Sequence, residues 1–486
     1  MSFKNCVIYQ IFPERFHIGN GLTIEDKIKN NLYPEYAVAK KWDELPEISM
    51  TTQGFQFFGG DIDGIIEKLD YIKEIGANCV YLTPVFPSNS NHKYDAISYT
   101  DVDKAFGGMS SFDRLITKAH ECGIKICMDI ALNHVSKNHP YFQQAIADPH
   151  SKYRDYFVFT DYPTVYNGWW GSTYLPELNY KNPEVIIDLI TGEHSIIDFW
   201  VRKGIDAIRL DCANDLGPKL CNIIRDKAKS INPDVMVFGE VFNYSAKWHD
   251  CLDGLQSYFY TSSIFSTLEG AITTRQFGKN ISKLISEANE EVLLNSFNIL
   301  SSHDYKRALT NLNGEIKKYF MALIMQFTLP GIPKIYYGEE VGMTGGNDPM
   351  NRAPMVWDES KWNNEIISFY KTLSHIRQTK KEFQTGKFMD FSEWMDNGVI
   401  GYMRYCEDDP KEYSIVLLNI ENTDKNFRLF IPYSYIFCQL DLKNLLSDEI
   451  IKAEISYIDV SLTAMEYKIY TPHNRSKSNY SFFKRI

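Results

Sequence analysis

One phrase recurs along the chain and narrows the fold more than any other feature: an amphipathic helix, a glycine, then a short apolar strand. Residues 63–75 place Ile65, Ile66, Leu69, Ile72 and Ile75 on one helical face; Gly76 follows, and residues 79–82 read as a buried strand. The phrase returns in residues 112–119, Gly123 and 124–130, again in 185–200, Gly204 and 207–210, and a fourth time in 319–329, Gly331 and 334–337. Further strands are expected at 7–12, 235–238, 257–260 and 297–300, which brings the number to eight. Eight strands alternating with helices predict an α/β chain folded as a (β/α)8 TIM barrel, with its chemistry at the C-terminal strand ends. An open doubly wound sheet is the alternative, but its G-x-G-x-x-G or Walker phosphate loop is missing from the sequence.

Two segments break the rhythm. Residues 136–182 are polar and aromatic, too long for an ordinary βα loop, and are expected to form a small inserted subdomain over the barrel mouth. From about residue 387 the helical phrases give way to alternating segments such as 398–404, 413–419, 427–432 and 467–471, the pattern of an antiparallel β-sandwich. The expected organisation is therefore a catalytic barrel from 1–135 and 183–386, the insertion at 136–182, and a C-terminal β-sandwich domain at 387–486.

Composition enters as a filter on partners. A formal charge of -11 argues against nucleic acid and anionic membranes, and no stretch is apolar enough to span a bilayer. The N-terminus lacks the charged head, apolar run and small-residue cleavage site of a signal peptide. Nine cysteines without a C-x-x-C pair fit reduced thiols, so a cytoplasmic location is expected. A neutral ligand suits this charge, and Tyr166, Trp169 and Trp170 in the insertion offer flat faces on which ligands stack, although a packing role is equally consistent with the sequence.

Polar residues gather at the expected strand ends. On residues 207–210, a period of two sends Arg209 and Asp211 to one face, where the guanidinium is expected to hold Asp211 ionised and fixed in orientation. Glu240 ends the apolar run 235–238, so desolvation is expected to keep it protonated and ready to donate. An ionised Asp facing a protonated Glu supplies the two groups of a retaining glycosidase if the carboxyls stand about 5–5.5 Å apart. Asp304 adds a third carboxylate, and His134 and His303 add donors for sugar hydroxyls.

These segments resemble the conserved motifs of the α-amylase family of glycoside hydrolases. Residues 129–134 resemble its first motif, 204–215 its second, 239–241 its third and 302–304 its fourth, in that order along the chain. The resemblance implies a retaining double displacement with Asp211 as nucleophile, Glu240 as general acid/base and Asp304 as transition-state stabiliser, and it places Arg209, His134 and His303 around the sugar whose bond is cleaved. Residues 90–95, 175–179 and 347–352 are similar to the cyclomaltodextrinase and neopullulanase subgroup. That similarity implies that Tyr94 stacks on the same sugar, that Asp348 and Arg352 hold the next sugar inward, and that Phe242 lines the leaving-group side.

Departures accompany the match. The sequence starts at the first barrel strand, without the N-terminal domain usual in that subgroup, and Glu177 stands where a Lys is usual. The loop at residues 16–23 lacks the Asn/Asp density some relatives use for calcium, so neither a metal nor another cofactor is expected. The expected substrate is an α-glucan oligosaccharide, a maltooligosaccharide or cyclodextrin, cleaved at α-1,4 bonds, with α-1,6 bonds as a second target. The sequence does not choose between hydrolysis and glucanotransfer, nor does it fix an oligomeric state. Two rivals come from other classes: a metal-dependent hydrolase, disfavoured because Arg209 would repel a cation from Asp211, and a non-catalytic glycan-binding barrel.

Overall fold

The structure is a computed structural model and describes residues 3–19, 22–242, 246–409, 412–431, 441–454 and 456–473. Eight parallel strands close into a barrel: β1 (Ile8–Ile11), β2 (Cys79–Leu82), β3 (Lys125–Ile130), β4 (Ala207–Leu210), β5 (Met236–Val241), β6 (Gly254–Ser257), β7 (Phe297–Ile299) and β8 (Ile332–Tyr336). Each strand pairs with its sequence neighbours, and β1 closes the ring against β8 through Ile8↔Lys334 to Gln10↔Tyr336.

Alternation along the strands sorts their side chains. Tyr9 and Ile11, Val80 and Leu82, and Ile126, Met128 and Ile130 pack outward into the core shared with the helices. The other set starts apolar, with Ile8, Cys79, Cys127, Ala207, Phe238 and Ile332 clustered in the barrel interior. Two residues further along the same strands stand Gln10, Tyr81, Asp129, Arg209, Glu240 and Lys334, all buried. The barrel thus has an apolar floor and a polar upper layer at its C-terminal end.

Three sequence expectations shift. The sixth strand lies at Gly254–Ser257, not 257–260, and the aromatic run after it opens the helix Phe259–Leu268. Tyr260, Ile264, Phe265 and Leu268 are buried at helical spacing, so packing overrode the strand propensity of the aromatics. Gly254 is required because a Cβ there would stand 2.6 Å from the Asn295 carbonyl and 2.8 Å from Phe238. The expected helix at 63–75 divides at Lys68 into Ile62–Glu67 and Leu69–Glu74. The one at 185–200 becomes Pro183–Ile186, a π turn at Ile187–Thr191, and Ile196–Lys203.

Past β3 the chain builds a helix, Pro140–Ala147, and a small hairpin pairing Phe159–Asp161 with Val165–Tyr166. It returns to the barrel mouth through bridges from His134 to Glu177 and from Gly168 to Pro176. Beyond the barrel, an antiparallel six-stranded sheet runs in the order Lys387–Asp390, Val399–Tyr405, Tyr413–Asn419, Tyr467–Pro472, Asp441–Asn444 and Ile450–Lys452. Met403, Ile415 and Leu417 from this sheet pack with Leu429, Ile458 and Val460 from the pair Lys425–Phe430 and Tyr457–Leu462. Pro432 and the residues after 473, which the sequence reading counted in this unit, lie outside the described residues.

The helix Ile196–Lys203 shows how the outer ring is held. Ser195 caps it, Gly204 ends it at φ 96°, and Trp200 is fully buried with its ring against Phe86, Phe112 and Phe199 and its Nε1 donating to the Tyr99 carbonyl at 2.6 Å. Trp200→Ala opens a cavity and strands that carbonyl, so the urea midpoint should fall by the equivalent of about 3–5 kcal/mol. A midpoint within error of the wild type would contradict this packing.

Candidate active site

The polar upper layer meets at Arg209. Its Nη1 lies 2.8 and 2.9 Å from the two Asp129 oxygens and 2.8 Å from Asp211 Oδ1, and its Nη2 lies 2.8 Å from Glu240 Oε1. One fully buried guanidinium therefore serves three carboxyl groups delivered by β3, the end of β4 and β5. The second oxygens turn toward Cys212: its Sγ donates to Asp211 Oδ2 at 3.0 Å, and its N–H donates to Glu240 Oε2 at 3.1 Å. Asp211 and Glu240 each place an oxygen within 4.8 Å of the other.

This crowding corrects one expectation. Arg209 was expected to dominate Asp211, yet burial outweighs it and raises the Asp211 carboxyl to about 6, with Asp129 adding repulsion. Glu240 rises further, to about 8, first from burial and then from Asp211 and Asp304, against the opposing pull of Arg209. Between these values the pair carries a single proton, with Asp211 ionised and Glu240 protonated. Asp304 is raised as well, first by burial, with Arg352 and Arg209 opposing.

A second network fixes the fourth-motif histidine. Gln10 accepts from Lys334 Nζ through its oxygen, which turns its amide nitrogen to His303 Nδ1 at 2.9 Å. The Tyr94 hydroxyl donates to Asp129 Oδ2 at 2.8 Å and lies 2.7 Å from His303 Nε2. Nδ1 therefore accepts, and the network assigns the imidazole proton to Nε2, which also stands 3.2 Å from Asp304 Oδ2. Burial first, then Arg352 and Arg209, hold His303 well below its ordinary value, and burial lowers His134 to about 4, so both rings are neutral near pH 7. Tyr94 also stacks on His303, with centroids 5.5 Å apart and planes at 11°.

Arg352 organises the far wall. Its Nε donates to the His303 carbonyl at 2.8 Å, and its Nη atoms lie 3.5 Å from Asp304 and 3.3 Å from Asp348. Phe242 is 53% exposed and stacks on Tyr258 at 5.5 Å and 11°. Tyr94, His134, Asp211, Glu240, Phe242, His303, Asp304, Asp348 and Arg352 all line one cavity of about 500 Å³, with Arg209 beneath it. Sequence reasoning missed Gln10, Lys334, Cys212, Asn214 and Asp215. Gln10 and Lys334 interrupt apolar strands on the inward register, a signal that was available, whereas the other three lie inside the 204–215 motif, which the sequence reading singled out without giving them a role.

Two places bear on metals. Asp211, Cys212 and Glu240 are the one group among the described residues spaced to hold an ion, but Arg209 sits 2.8 Å from both acids and places a positive charge where a cation would go. Past β1, the buried Lys27 ammonium donates to the Gly59 carbonyl and to Asp61 Oδ2, each at 2.6 Å, while Asp61 Oδ1 accepts from the backbone N–H groups of Gly19 and Gly64.

Comparison with known proteins gives concordant results. The family profile described as alpha amylase, catalytic domain, matches residues 10–385. A cyclomaltodextrinase from Thermoanaerobacter pseudethanolicus is 35% identical over 397 residues, 79% of this chain and 66% of that protein. Neopullulanase 2 from Thermoactinomyces vulgaris is 32% identical over 446 residues, 89% of this chain and 72% of that protein. Among solved structures, a cyclic alpha-maltosyl-(1-->6)-maltose hydrolase from Arthrobacter globiformis, in complex with cyclic alpha-maltosyl-(1-->6)-maltose, superposes with a TM-score of 0.79 at 27% identity, covering 95% of this chain and 99% of that one.

The shared guanidinium yields a stability test. Arg209→Met leaves three buried carboxyl groups without their counter-charge and should cost about 3–5 kcal/mol in denaturant unfolding. Unfolding at the wild-type midpoint would show that Arg209 does not hold them.

Proposed function

Because the chain belongs to the α-amylase family of glycoside hydrolases, we propose that it hydrolyses α-glucosidic bonds in maltooligosaccharides or cyclodextrins with retention of anomeric configuration. The observation that carries this reading is the pair of acids of unlike protonation, each with an oxygen within 4.8 Å of the other and both held by Arg209. That separation suits direct attack by a carboxylate, whereas an inverting site needs about 6.5–9.5 Å to admit a water.

In the proposed cycle, Asp211 attacks the anomeric carbon while Glu240 gives its proton to the glycosidic oxygen, and the leaving sugar departs with its hydroxyl restored. A covalent glycosyl-enzyme bond to Asp211 results. Glu240, now ionised, takes a proton from an incoming water, whose oxygen attacks the same carbon and breaks the bond to Asp211. Both acids end in their starting states. Neutral His134, whose ring nitrogens have no hydrogen-bond partner among the described residues, donates to a sugar hydroxyl, and Asp304, held by Arg352 and His303, accepts from another, while the His303 Nε2 proton positions the Tyr94 hydroxyl and Asp304. We take α-1,4 bonds as the first target and α-1,6 bonds, the linkage in the name of the Arthrobacter globiformis hydrolase, as a second. Transfer to a sugar acceptor shares the intermediate and differs only in what attacks it.

No metal takes part in this scheme. Lys27 supports that reading in the loop past β1, where its ammonium satisfies Gly59 and Asp61 as an internal cation. No helix among the described residues is long and apolar enough to cross a membrane, and the eight described cysteines are free, which suits the cytoplasm.

Three outcomes follow. Protonation of Asp211 should remove activity as pH falls through about 6, and ionisation of Glu240 should remove it as pH rises through about 8, so kcat/KM should peak between them. Glu240→Gln should lower kcat on maltoheptaose by about 100-fold or more without unfolding the chain. An NMR time course showing the β-anomer as first product, or wild-type turnover by Glu240→Gln, would contradict the scheme. Dialysis against a chelator should leave turnover and thermal midpoint unchanged, and losses restored by calcium would overturn the metal-free reading.

A further inference from the structure

The sequence singles out three aromatic side chains of the insertion, Tyr166, Trp169 and Trp170, and the structure gives them different fates. Tyr166 is spent on packing: its ring meets Phe142 at 4.7 Å and Phe159 at 5.9 Å, and its hydroxyl donates to the Thr173 carbonyl. Trp169 is turned inward, its Nε1 donating to Asp215 at 3.0 Å and its ring lying 5.4 Å from His134. Trp170 is 85% exposed and lines the cavity.

Its backbone is held to keep it there. Trp170 has φ 50° and ψ 31°, a left-handed conformation costly for a bulky residue, and Gly171 follows at φ 79°. The turn is closed by Gly171 N–H to Gly168 O at 2.8 Å, Ser172 N–H to Trp169 O at 2.9 Å and Trp169 N–H to Leu175 O at 2.9 Å. A large apolar ring is thus presented to solvent from a fixed, unfavourable backbone, the reverse of what packing alone would select.

The position of the ring tells what it faces. Adjacent residues just past β4 anchor two walls: Asn214 Oδ1 accepts from the Phe242 N–H at 2.8 Å, and Asp215 holds Trp169. Phe242 follows Glu240 by two residues, just past the end of β5, so both walls stand on the side of the proton donor, across the barrel from the Asp348 and Arg352 wall beyond β8. Given the proposed function, on which this inference rests, that side receives the leaving group. We infer that Trp170 is a sugar-stacking platform for a glucosyl unit of the leaving group, opposite Phe242, and so sets the preference for long over short α-glucans. Glucose presents apolar C–H faces that an indole covers, and the same platform receives the sugar acceptor during transfer.

The test compares p-nitrophenyl α-maltoside, whose leaving group is not a sugar, with maltoheptaose. In Trp170→Ala, the ratio of kcat/KM for maltoheptaose to that for p-nitrophenyl α-maltoside should fall by about 3–10-fold, and Trp170→Phe should restore most of it. With maltose added as acceptor, the transfer product should fall in the same variant. A ratio equal to wild type, or an equal loss on both substrates, overturns the platform while leaving the hydrolase reading intact. Wild-type protein that cleaves neither substrate overturns both.

Discussion

A single guanidinium shared among three buried carboxyl groups sets the terms for everything above it. Asp129 takes two of the Arg209 contacts, leaving one for Asp211 and one for Glu240. Were all three acids ionised, the cluster would carry two uncompensated negative charges at largely buried positions at the base of the cavity. Burial opposes this strongly, and the least costly remedy is to keep one proton. The proton stays on Glu240, which is raised to about 8, above Asp211 at about 6. One acid able to give a proton and one able to attack thus follow from charge balance around a fixed cation, before any substrate arrives.

The rest of the upper barrel layer keeps that arrangement rigid. Lys334 orients Gln10, Gln10 sets the tautomer of His303, and the Tyr94 hydroxyl joins His303 to Asp129, which returns to Arg209. These groups come from β8, β1, the loop past β7, the loop past β2, β3 and β4 in turn, so the closed ring of strands is what makes the circuit possible. An open sheet has no way to bring its first and last strands to the same imidazole.

Much of this was legible in the sequence, for physical reasons that differ by element. β2 and β4 were read at their observed bounds because short apolar runs after a glycine have little else to become. The sixth strand was misplaced because Tyr258, Phe259 and Tyr260 favour strands locally, whereas the observed helix starts at Phe259 and buries Tyr260 at a spacing visible only once Ile264, Phe265 and Leu268 are counted with it. Six residues of the site were named from their places at strand ends and four, Tyr94, Phe242, Asp348 and Arg352, from the family resemblance, and nine of the ten line one cavity above Arg209. What sequence could not supply was depth. A neighbouring Arg argues for a low Asp211 value, while burial argues for a high one, and only the fold says which is larger. Trp169 and Trp170, adjacent and alike in sequence, were separated by a left-handed turn that no pattern announces.

The most direct measurement of the central claim is the protonation state of Glu240 itself. Infrared difference spectra of wild type against Glu240→Gln, followed from pH 5 to 10 in the absence of substrate, isolate its carboxyl C=O stretch. The account predicts a protonated carboxylic acid at pH 7 whose band disappears near pH 8. An ionised Glu240 at pH 6, with the band absent throughout, would contradict it.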